Sequence, residues 1–148
     1  MKKYLNIDGT EKILELYKCW PSDHDAEIIS IFLSREKSKG KYGPTLEIKV
    51  HCFNITNELN DIGHYKTINH AQITIEFCDV VEFSLAHSFG TQNPLSSMSI
   101  DDIRSHQLEN INYKVEFCAH LTSDVDFKCS SINILSLEEG IPIGSIYA

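Results

Sequence analysis

Along most of the chain, apolar residues recur at every second position, and that alternation predicts strands. Residues 45–53 show it most cleanly. Leu46, Ile48, Val50 and Cys52 fall on one side, with Glu47, Lys49, His51 and Phe53 on the other. This is the pattern of an antiparallel strand with one face in water. Residues 26–33 set Ile29, Ile31 and Leu33 against Ile28, Ser30 and Phe32, apolar on both sides, which predicts a central strand. Residues 70–78 turn Ala71, Ile73, Ile75 and Phe77 inward, and Val81, Phe83 and Leu85 carry the phase past Asp79. That stretch reads as one long strand bent at Asp79. Residues 112–121 and 125–129 form a hairpin about a tight turn at Ser123-Asp124. The phase then slips near Ser130-Ser131, as at a β-bulge. Residues 98–108 fit either a short helix opened by Ser99 and Asp102 or a strand at Met98-Ser99-Ile100.

Only residues 8–18 follow the helical period, with Ile13, Leu14, Leu16 and Tyr17 as the apolar stripe. Asp8 with Glu11 forms a capping box, Thr10 is a second cap candidate, and Pro21 closes the helix. Residues 35–43, 54–65 and 89–94 read as loops, and residues 138–148 as a surface tail. The chain is therefore read as α+β, mainly β: a single domain over residues 1–148. Its antiparallel sheet has six or seven strands, as a curved sheet or a two-layer sandwich, with one N-terminal helix.

Composition strengthens the β reading, because 19 Ile and 7 Phe stand against only 5 Ala. At 148 residues one core can form without disulfides. The net charge of −8 is uneven: residues 1–50 sum to +1 and residues 51–148 to −9. Acidity of this kind disfavours nucleic acid and favours a basic partner. Five cysteines, an odd number with no C-x-x-C pair, fit reduced thiols in a cytoplasmic protein. No apolar run is long enough for a signal peptide or a membrane span.

The densest polar chemistry lies at residues 19–27, where Trp20 and Pro21 precede His24, Asp25 and Glu27. A histidine flanked by carboxylates can act as a general base, and it can equally organise a turn. Gln92 and Asn93 offer paired amides for a partner backbone or for an Asx-type turn. Cys118 and His120 share a strand face but match no zinc spacing, His51 and Cys52 point to opposite faces, and His64 and His70 do not pair by periodicity, so no metal or cofactor is expected. No nucleophile elbow, zinc-protease motif or phosphate loop occurs, and no catalytic residue is assigned.

With those residues in view, the chain resembles the immunity protein 50 family, small bacterial proteins held to neutralise polymorphic toxins. The resemblance runs over residues 20–137. It rests on Trp20-Pro21-Ser22, His24-Asp25-Ala26-Glu27, Phe77-Cys78-Asp79-Val80, Phe89 with Gln92-Asn93, and Phe127-Lys128-Cys129. Asp23 departs from the aromatic expected there, and a glycine expected shortly before Phe127 is missing. The resemblance implies a protein that neutralises a cognate toxin and carries no catalytic residues over; charge, apolar-run length and the cysteines add that it is cytoplasmic and involves neither nucleic acid nor a membrane. Charge sign and exposure then nominate Asp101, Asp102, Glu109, Glu116, Glu76 and Glu82, with Glu138 and Glu139, as contacts to a basic toxin. The other reading is a small ligand binder or enzyme with its site at His24 and Asp25, under Trp20. An edge strand leaves both a monomer and an edge-to-edge homodimer open.

Overall fold

The computed structural model describes residues 7–21, 25–37, 41–86, 89–90, 93–119 and 122–147. Helix α1 (Thr10–Tyr17) is followed by β1 (Glu27–Lys37), β2 (Lys41–Leu59), β3 (Tyr65–Cys78), β4 (Val81–Leu85), β5 (Ser97–Asp102), β6 (Tyr113–Ala119), β7 (Thr122–Cys129) and β8 (Ser131–Glu139). The strands pair antiparallel into two four-stranded sheets, β1-β2-β3-β8 and β4-β7-β6-β5. Eight described strands thus replace the expected six or seven, and the mainly β class stands. No helix among the described residues is long and apolar enough to cross a membrane.

The inner faces are the ones that alternation picks out. Leu46, Ile48, Val50, Ile73, Ile75 and Phe77 of the first sheet share one buried cluster with Ile100, Val115, Phe117, Val125 and Phe127 of the second. Phe77 joins the layers, meeting Phe117 edge-on at 6.3 Å and Phe127 at 4.8 Å.

Several expectations are corrected. β1 is an edge strand, not a central one, and Phe32 is 62 % exposed. Its two apolar faces reflect a register shift between Ile28 and Ser30 rather than two-sided burial. Asp79 ends β3, and the chain crosses there to the other sheet, where β4 pairs with β7. The slip at Ser130-Ser131 is the return crossing, not a bulge. The two crossings are locked together, since Ser130 Oγ donates to the Cys78 carbonyl and to Asp79. Ser123-Asp124 lies within β7 rather than in a turn, because Ala119 already pairs with Thr122. Residues 97–102 resolve to a strand, followed by a short 3-10 turn at Arg104–His106.

The helix starts at Gly9, and neither Asp8 nor Thr10 caps it. The Asp8 backbone instead bridges to β8, with the Ile134 N–H donating to its carbonyl, and the Thr10 hydroxyl donates to the Ile7 carbonyl. The helix ends at Lys18 in a left-handed conformation, ahead of Pro21. Residues 35–37, 41–43 and 54–59 belong to strands that the polar pattern concealed. β2 and β3 continue past His51 and Ala71, where their pairing with β1 and β8 stops. The result is a projecting two-stranded arm, its turn held by Asn60 Oδ1 accepting from the Ile62 and His64 N–H groups.

Candidate functional site: a buried glutamate–histidine relay

His51 sits in the phase of β2 that alternation assigns to water, yet it is wholly buried. Register explains its neighbours. His51 pairs with Glu27 of β1 and with Gln72 of β3, which places the Glu27 and His51 side chains together on the outer face. Beyond them the ladder slips. Cys52 pairs with Ala71 but Asn54 with Ile68, leaving Asn69 and His70 opposite Phe53. Asn69 absorbs the extra residue at φ 56°, a left-handed conformation that Asn tolerates. The Cys52 and Asn69 carbonyls beside this bulge accept from the Tyr17 hydroxyl at 3.1 and 2.7 Å. Burial, aided by Cys52, pushes the Tyr17 phenol well above its ordinary pKa.

Four side chains then form a line. Thr67 Oγ1 lies 2.9 Å from His70 Nε2, His70 Nδ1 lies 2.9 Å from His51 Nε2, and His51 Nδ1 lies 2.9 Å from Glu27 Oε2. Burial, and after it the neighbouring His51, holds His70 below the usual imidazole pKa. One proton fits between each facing pair of atoms. In the form with no added proton, Thr67 donates to His70, His70 to His51 and His51 to Glu27, so every donor points toward the carboxylate. These tautomers are assigned from the hydrogen-bond pattern. One added proton reverses the first two bonds without moving a heavy atom.

The C-terminal segment after β8 covers the relay. Tyr147 packs against Phe53 with tilted rings, centroids 4.5 Å apart, and meets both histidine rings at 6.1 Å, while Ser145 Oγ donates to Glu27 Oε2 at 3.0 Å. Burial raises the Tyr147 phenol pKa, and the Asp25 and Glu27 carboxylates add to it. The other Glu27 oxygen, Oε1, is buried and has no hydrogen-bond partner among the described residues. A cavity of about 150 Å³ adjoins Glu27, walled by Ile29, Gly90, Asn93, Pro142 and Ser145 among others.

Chemically, a hydroxyl, two imidazoles and a carboxylate in series can hold and relay a proton. They do not converge on a point, and both ring nitrogens of His51 already face protein partners. Among the described residues no group of His, Cys, Asp and Glu is arranged to hold a metal.

The sequence-nominated residues are scattered. Trp20 and Pro21 line a mostly apolar void of about 20 Å³ with Ala26, Val50 and Ile75, large enough for about one water. Asp25 takes a left-handed φ of 67° and donates its N–H to the Leu95 carbonyl. His24, Gln92 and His120 lie outside the described residues. Asn93 anchors its turn to β1: its amide donates to the Ile28 and Gly90 carbonyls and its Oδ1 accepts from the Gly90 N–H.

Of the acids, Asp101, Glu116 and Glu82 belong to the outward phase of the second sheet, where they meet Asp126, Lys114 and Lys128. Glu116 pairs with Lys114 at 3.1 Å and Glu82 with Lys128 at 2.7 Å. Asp102 pairs with Arg104, which lowers its carboxyl pKa. Glu109 is exposed in the loop before β6. Glu76 stands apart on the first sheet, where its Oε1 accepts from the Asn133 amide at 3.0 Å. Glu138 and Glu139 end β8, paired with Gln72 and Ala71.

The relay itself escaped notice in the sequence. Glu27, His51 and His70 are far apart along the chain, and only register plus a bulge brings them together. The available signal was His51 in phase with Phe53, an aromatic at a position nominally facing water.

These features describe a small two-sheet β protein with a helix at its N-terminal end and a carboxylate–imidazole line on one outer face, buried at Glu27 and His51 and half-buried at His70. The chain belongs to the immunity protein 50 family, whose model matches residues 9–140 and so spans α1 and all eight described strands. Membership makes it an immunity protein. No curated protein and no solved structure shows a significant match to the chain.

Proposed function

We propose that the chain is a cytoplasmic inhibitor that neutralises a cognate toxin domain by non-covalent binding. Family membership is the observation that carries this reading, and it favours a binding protein over an enzyme. The second sheet supports it physically. Among the described residues its outward face presents Asp101, Glu116, Glu82 and Asp126 against Lys114 and Lys128, on antiparallel paired strands. An acid-rich, pre-formed surface attracts a basic protein and repels nucleic acid and anionic membranes.

The test begins with rescue. The large reading frame adjacent to this gene is expressed in a naive bacterium with and without the chain, and the purified pair is measured for binding. Rescue of growth with nanomolar affinity is expected; toxicity without rescue or binding overturns the reading. Reversing Asp101 and Glu116 to Lys then slows association about tenfold at low salt and flattens its salt dependence. Unchanged association kinetics in that variant sink the electrostatic part of the proposal.

A further inference from the structure

The arm made by the far ends of β2 and β3 reaches roughly 20 Å beyond the body of its sheet, from Cys52 to Leu59. It is a built element rather than a loop. Its turn is fixed by Asn60, and Thr56 Oγ1 donates across the strands to the Lys66 carbonyl at 2.9 Å. Register sets its sides. Ile55 lies opposite Thr67 and Leu59 opposite Tyr65, so these four share one face. Ile62 stands at the turn.

Ile55, Leu59, Ile62 and Tyr65 are between 49 % and 75 % exposed. From Phe53 onward in β2, and up to Asn69 in β3, the outer edges pair with no strand among the described residues. A two-stranded ribbon is marginal by itself, and unpaired edges invite another chain. An exposed apolar patch with a polar rim marks a protein contact.

The charges of that rim point to the kind of partner. Residues 54–69 carry Glu58 and Asp61 against Lys66, which lies 3.5 Å from Glu58. Glu138 and Glu139, both exposed, stand at the root of the arm, where β8 meets Gln72 and Ala71. A second copy of the chain would bring carboxylates against their own kind, with a net charge of −8 on each side. A basic protein meets them with the opposite sign.

From this acid-rimmed apolar face on a projecting arm, we infer that residues 54–69 hold the cognate toxin, an assignment that rests on the inhibitor reading above. Ile55, Leu59, Ile62 and Tyr65 pack on an apolar surface of the toxin bordered by Lys or Arg. The task differs from that of the acids on the second sheet. Those steer the approach from a distance, whereas the arm retains the partner once it has arrived.

The test uses the full chain and the toxin domain of the rescue experiment. The double variant Leu59→Thr, Tyr65→Thr removes an opposed apolar pair from an exposed site and keeps side chains that suit strands. It should raise the dissociation rate at least about thirtyfold and change the association rate less than about threefold. Phe32→Thr makes the same kind of change at an exposed site on β1 and should leave both rates unaltered. Ile62→Ser, in the turn outside the paired strands, should raise the dissociation rate at least about fivefold and decides the matter if the double variant does not fold.

Wild-type rates in the folded arm variants, or an equal loss in Phe32→Thr, overturn the arm as the contact, while rescue and nanomolar binding by the wild type keep the inhibitor reading in place. A toxin that is neither bound nor neutralised removes that reading and the arm's assignment with it. Sedimentation of the wild type alone covers the other occupant. A dimer that the double variant dissolves would assign the face to a second copy and overturn the toxin contact.

Discussion

His70 shows what burial does to a single side chain. Its neutral form is favoured in the fold, by burial first and by His51 second. The unfolded chain therefore takes up the proton more readily, so stability due to neutral His70 is complete above the ordinary value of 6.5 and is lost as the pH falls through the lowered one. The denaturant midpoint is expected to drop between neutral pH and mildly acidic pH, and His70→Gln should flatten that slope. An equal slope in the variant would place the titration elsewhere.

The cysteines give an independent reading at the same scale. Cys19 is exposed, whereas burial pushes the Cys129 thiol up to about 12. Iodoacetamide at pH 8 should label Cys19 and leave Cys129 untouched until denaturant is added, as peptide mass spectrometry would show. Early labelling of Cys129 would contradict its place in the core.

At the scale of elements, the start of α1 is set by a close approach rather than by a cap. Gly9 has φ 85°, and a Cβ built there would lie 2.4 Å from the Ile134 carbonyl oxygen. Gly9→Ala should cost at least about 1–2 kcal/mol from backbone conformation alone, measured as a lower denaturation midpoint. A neutral outcome would mean that β8 gives way easily.

The same contact explains a misreading. Asp8, Thr10 and Glu11 have the right spacing for capping, but the Asp8 backbone is engaged in a long-range bridge to β8 that local spacing does not reveal. The inner positions of β2, β3, β6 and β7 were legible because one-sided burial imprints a period of two. The arm at residues 54–69 was not. Ile55, Leu59, Ile62, Tyr65 and Ile68 are all exposed there, with Ile62 at 75 %, so no buried face imposes an alternation. The relay was hidden for a related reason. Its alignment depends on an extra residue at Asn69, and slips of one residue are what propensity reads worst.

For the molecule as a whole, Phe77 is the clearest point of connection between layers. Phe77→Ala should lower stability by about 3–5 kcal/mol, because the rings of Phe117 and Phe127 lose their common neighbour. Near- and far-ultraviolet circular dichroism should still report one shared thermal transition. Two separated transitions would show that the sheets hold together independently.

The double crossing at Asp79 and Ser130 also has a consequence in time. The first sheet takes its fourth strand from the end of the chain, after all four strands of the other sheet have been made. During synthesis β3 therefore waits with an open edge while some fifty residues emerge, and the sheet is finished only when β8 arrives. Pairings this distant along the sequence are slow to form, on the order of milliseconds to seconds for β-rich domains. A nascent chain stalled before residue 131 should accordingly be the form most prone to sticking to its neighbours.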